Sequence, residues 1–110
     1  MPHGAFSSAK LQSDGSAAVT GPFSLNPGDP QKPALVAFYL VQGSTTVVEG
    51  HGSWSIGDKE WQGSCGCGSL KAGDAWGYGM AILVQDEPPG FATWTWTSPV
   101  EVTEAADTPT

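Results

Sequence analysis

Two cysteines one residue apart, Cys65-Gly66-Cys67, are the chemically loudest feature of the chain. In an extended strand both thiols point to one face, too far apart for easy bridging. A kink at Gly66 would close a small, strained and reducible ring. Two thiols, a local Cys65–Cys67 disulfide, a metal site and an intermolecular bridge all stay open. The C-x-C spacing alone is a weak zinc signal, because zinc takes four ligands and only His3 and His51 remain as soft partners. A one-loop Cys-His-Met copper site has no counterpart, since no His follows either Cys. No cofactor is expected.

His51 lies in Glu49-Gly-His-Gly-Ser-Trp54, where Ser53 or Glu49 could accompany a general base. A lone His on a polar strand face is usually solvated. The nucleophile elbow, the His-Glu-x-x-His zinc motif and the P-loop are all missing from the sequence. The expectation is a protein that is not an enzyme. Asp29, Asp86 and Glu87 fall in two Pro-rich loops expected at the same end of the fold. Carboxylate oxygens there could take calcium, but no ligand spacing supports it, and solvated loops are the simpler expectation.

Five tryptophans complete the inventory. Trp94 and Trp96, two apart, point the same way in a strand and continue into Val100 and Val102, which reads as a buried stripe. Trp76 is expected in the core as well. A carbohydrate-binding module is the alternative to a protein-binding one, with Trp61 and Trp54 as its exposed platform. Five indoles are hard to bury together, because each N–H needs a partner.

These residues must be positioned by strands. Gly and Pro, 15 and 9 of 110 residues, leave no uninterrupted stretch longer than ten, the length of 5–14. A helix of ordinary length, about 11–12 residues, has no room. The longest apolar run is the eight residues 34–41, far below the roughly 18 that a membrane helix needs, so no membrane insertion is expected. Period-two alternation, punctuated by Gly-Pro turns, marks seven strands at 6–12, 17–25, 34–42, 46–56, 60–70, 75–85 and 91–103. The chain reads as one domain over 1–110, its ordered core about 6–103 and a tail over 104–110. Eleven acids against four Lys and no Arg, a net charge of −7, exclude the basic stripes that read nucleic acid.

One stretch sharpens the fold class. Leu70-Lys-Ala-Gly-Asp74-Ala-Trp-Gly-Tyr78-Gly-Met80 resembles the tyrosine corner of immunoglobulin-like and fibronectin-type-III-like domains, with Met80 in the core position after the Tyr. The resemblance implies a seven-stranded antiparallel immunoglobulin-like β-sandwich in which the Tyr78 hydroxyl bonds backbone upstream. The antibody disulfide is not indicated, since 17–25 carries no Cys.

Segment 34–42 breaks the alternation, being apolar on both faces. With Val36, Phe38 and Leu40 in the core, Leu35, Tyr39 and Val41 must face out. In a sandwich of this type its neighbour is 75–85, with 91–103 beyond it in the same sheet (strands C, F and G), and Leu83 is expected to join the outer patch. An apolar sheet exterior marks a partner or a terminal segment folded across it, 1–12 or 104–110. The function expected is a binding or assembly module. It docks a protein partner, or a second copy, through the outer C–F–G face, as a cell-surface, extracellular or virion-surface component would.

Overall fold

The computed structural model describes residues 3–29, 32–66, 68–86 and 89–104. Eight strands form, and no helix is found among the described residues. They are β1 (His3–Gly4), β2 (Ser8–Leu11), β3 (Ser16–Ser24), β4 (Ala34–Gln42), β5 (Thr46–Trp54), β6 (Glu60–Gly66), β7 (Gly73–Gln85) and β8 (Gly90–Glu104). All seven predicted strands are present. Gly15, Gly43 and Gly57 occupy the left-handed region at three of the turns.

The sheet closes on itself. Around the ring the order is β2-β3-β6-β5-β4-β7-β8, and β8 returns to β2. The closing pair is parallel, with Ala9 opposite Val102, while every other pair is antiparallel. The expected open sandwich is thereby corrected to a seven-strand barrel. β4 pairs with β5 over its whole length, from Ala34↔Trp54 to Gln42↔Thr46, where a sandwich would part the two sheets. The predicted pairing of 34–42 with 75–85 holds, and β7 in turn pairs with β8.

β1 and β2 are two parts of one segment laid along β3. Four steps from Gly4 to Ser8 run against three from Phe23 to Thr20, so 3–11 carries a β-bulge. Backbone bonds from Ala5 N to Pro22 O (3.2 Å) and Ser7 N to Thr20 O (2.8 Å) span it. The bulge turns Phe6 inward, and its N–H donates to Ser98 Oγ at 3.1 Å. Segment 3–11 is thus part of the barrel wall and its filling, not a cover for the outer face.

Aromatic rings fill the lumen. Phe6 meets Trp61 edge-on at 5.3 Å and Phe38 at 6.1 Å, and Phe23 packs on Trp54 at 5.0 Å. Trp96 touches both groups, 6.3 Å from Trp61 and 6.1 Å from Phe23. The Trp61 indole donates to Ala5 O (2.9 Å) and that of Trp54 to Asp58 O (2.7 Å). That satisfaction permits the two indoles to be buried. Trp94 and Trp96 pack against the core from β8, as the Val100–Val102 stripe predicts.

β7 departs from expectation. Its odd residues Ala75, Gly77, Gly79, Ala81 and Leu83 face the lumen, and its large even residues face out. The cause is steric. A Cβ on Gly77 would lie under 3.0 Å from the Phe6 ring, and one on Gly79 equally close to the Trp96 indole. Rings from the 3–11 segment and β8 already occupy the space that large β7 side chains would need.

Candidate functional site

The registers of β5, β4, β7 and β8 lay their outer side chains in cross-strand rows. Val47, Val41, Trp76 and Pro99 form one row. Glu49, Tyr39, Tyr78 and Thr97 form the next, then His51, Ala37, Met80 and Thr95, then Ser53, Leu35, Ile82 and Thr93. Val84 and Phe91 extend the pattern at one end, and Asp74 opposite Glu101 ends it at the other. The β4 and β7 columns carry no charge between Leu35 and Val41 or between Trp76 and Val84.

The exposure is real for the large side chains. Leu35, Tyr39 and Trp76 are 65%, 50% and 53% exposed, and Phe91 reaches 74%. At 3.4 Å per residue and 4.8 Å per strand, the uncharged field of β4, β7 and the threonine-bearing β8 measures about 27 Å by about 15 Å, on the order of 400 Å². The other side of the barrel differs in kind. There β2, β3 and β6 alternate cleanly, presenting Ser8, Lys10, Thr20, Glu60 and Gln62 outward. One molecule therefore has a polar exterior on one side and an apolar one on the other.

Between the Tyr39–Tyr78–Thr97 and Ala37–Met80–Thr95 rows runs a shallow trough of about 360 Å³. The short side chains of Ala37 and Thr95 make its low side, and the two tyrosine rings its high side. A larger and more polar hollow of about 590 Å³ lies around Trp76, bordered by Ser7, Asp74, Pro99 and Glu101.

Leu35, Tyr39 and Val41 stand on the outer face as predicted. Leu83 does not: it is fully buried in the lumen, because β7 has the opposite parity. The same inversion adds Trp76 and Met80, both expected in the core, together with Tyr78, Ile82 and Val84. The Gly and Ala on alternate β7 positions were the available signal, since a small face can serve a lumen crowded by other strands. Tyr78 makes no corner. It stands half exposed opposite Tyr39, and among the described residues its hydroxyl reaches no upstream backbone.

The sugar platform loses its position as well. Trp61 is fully buried and Trp54 5% exposed, both with their N–H groups satisfied inside the barrel. Cys65 is buried on β6, while Cys67 lies outside the described residues. His51, Ser53 and Glu49 are exposed along β5, and no hydrogen bond among the described residues joins them. No group of three His, Cys, Asp or Glu among the described residues could hold a metal.

The predicted acidic loops do meet at one end. Lys32 Nζ pairs with Asp86 at 2.8 Å, tying the β3–β4 connection to the β7–β8 hairpin. Asp29 accepts the Asn26 N–H at 2.7 Å. Burial pushes that carboxyl up, but hydrogen bonding and nearby positive charge outweigh it and hold the group below the usual aspartate range. Glu87 lies outside the described residues. Comparison with protein-family models and with curated proteins gives no match, so the reading of this face rests on its own chemistry.

Proposed function

We propose that the chain is a non-enzymatic binding or assembly module that contacts protein through the outer face of β4, β7 and β8. The observation that carries this reading is the contrast between the two exteriors of one barrel. An uncharged field of about 400 Å² is in the range of patches that mark interaction sites. A barrel facing lipid would need an apolar band on every strand, and β2, β3 and β6 offer none. The closed ring also directs association to a face, because hydrogen bonding around it uses the strand edges that would otherwise recruit a partner strand.

The test is a pair of charge insertions. Tyr39→Asp and Ile82→Asp keep the fold by circular dichroism and reduce the fluorescence of the apolar dye ANS on the native protein several-fold. Gln62→Glu, on the polar side, leaves the signal unchanged. Equal dye signal from all four proteins would remove the face from consideration.

A further inference from the structure

The occupant of this face can be narrowed by area and charge. A stable protein–protein contact takes about 800 Å² from each partner. The uncharged field supplies about half, so the remainder must come from its rim. That rim is acidic: Glu49 flanks Tyr39 along one side, and Asp74 and Glu101 stand together at one end. Asp86 sits at the other end and is paired with Lys32. Lys59 precedes β6 on the opposite side, Lys71 lies near the Asp74 end, and Lys10, paired across from Thr103, borders β8 beside Glu101, so these acids exceed the lysines of the rim by four to three. A second copy would bring the same acids, on a chain of net charge −7, against this rim. Like charges face to face suppress such a contact, whereas opposite ones guide and hold it.

The trough supplies the other half of the chemistry. Its volume of about 360 Å³ and its lining of Tyr39, Tyr78, Ala37 and Met80 suit one large apolar side chain. Buried aromatic anchors of this kind dominate interface energetics when polar contacts ring them. The expected tail beyond Glu104 lies outside the described residues.

Resting on the function proposed above, we infer that this face takes a different protein, one that seats an aromatic anchor in the Tyr39–Met80 trough and surrounds it with Lys or Arg. The anchor gives residence and the basic surround gives partner choice.

Three synthetic peptides test this: Lys-Lys-Gly-Trp-Gly-Lys-Lys, its Glu-for-Lys counterpart and its Ala-for-Trp counterpart. Titrations are followed by NMR on the full chain. The cationic Trp peptide shifts Met80 and Tyr78 signals and binds roughly tenfold more tightly than either counterpart. Its affinity falls with added salt, and Ala37→Leu, which fills the trough, abolishes it. Equal binding of the acidic Trp peptide overturns the basic partner while leaving the face intact. A concentration-dependent dimer in sedimentation, lost in Tyr39→Asp, assigns the face to a second copy and overturns it too. Shifts of the same signals by cellohexaose, without the cationic peptide binding, assign the trough to a sugar. No binding by any probe, together with an unaltered dye signal in Tyr39→Asp, removes the face itself.

Discussion

Gly77 and Gly79 decide which way β7 faces. Each gives up a side chain so that a ring from elsewhere, Phe6 or Trp96, lies against bare backbone. The large β7 residues then have only the exterior left. A methyl at Gly79 would press on a Trp96 indole already held between Phe6, Phe23 and Trp61. Gly79→Ala is expected to destabilise the fold by about 1–3 kcal/mol. Phe6 and Gly77 form a matched pair. Phe6→Ala costs about 3–5 kcal/mol by emptying the lumen, whereas Phe6→Ala in a Gly77→Ala background costs less, the methyl then having space. Denaturant midpoints of the four proteins measure the coupling, expected at about 1 kcal/mol or more. Additive effects would mean that the ring and the glycine do not meet. Trp96 has a further peculiarity: its indole N–H is buried with no hydrogen-bond partner among the described residues.

At the scale of elements, the strands were legible because alternation and Gly-Pro punctuation are local properties. The β4 segment 34–42 matches its prediction at both ends, and its two apolar faces are the observed lumen and exterior. Burial direction was legible wherever large and small residues separate and the large side is needed within. β7 separates them just as well with the opposite sense, and nothing inside 75–85 states that Phe6 will take the space. The β2–β3 turn shows local chemistry alone deciding an element. Asp14 Oδ1 accepts both the Ser16 hydroxyl at 2.6 Å and the Ser16 N–H at 2.9 Å. Gly15 at φ 87° and the bond from Gln12 N to Ser16 O close the loop. The Ser16 hydroxyl and N–H hold the Asp14 carboxyl below the usual aspartate range. Stability from this pairing is therefore present above the ordinary aspartate pKa and is lost as pH falls through the lowered one. A carbon-detected carboxyl titration should place Asp14 below a free aspartate, and Ser16→Ala should move it back part of the way. An unshifted midpoint in the native protein would rule out the paired turn.

For the whole molecule, the difference between sandwich and barrel lies in pairings between segments far apart in sequence. The unbroken β4–β5 pairing and the parallel pairing of Ala9 with Val102 make the ring. Neither is encoded in alternation, turn chemistry or composition. The same contact sets the folding rate, because the ring closes only when β2 meets β8, far apart in sequence. Stopped-flow refolding should occur in milliseconds to seconds, as for other domains dominated by distant strand pairs. Microsecond refolding would contradict this topology.

The placement of the indoles has an optical consequence. Trp54 and Trp61 are sealed in the barrel and Trp94 and Trp96 pack against its core, while Trp76 stands 53% exposed on the outer face. The chain thus carries a reporter at the edge of the surface proposed to dock a partner. Quenchers dissolved in water reach this indole first, and a protein seated on the face withdraws it from them, so occupancy can be read as emitted light without any added label.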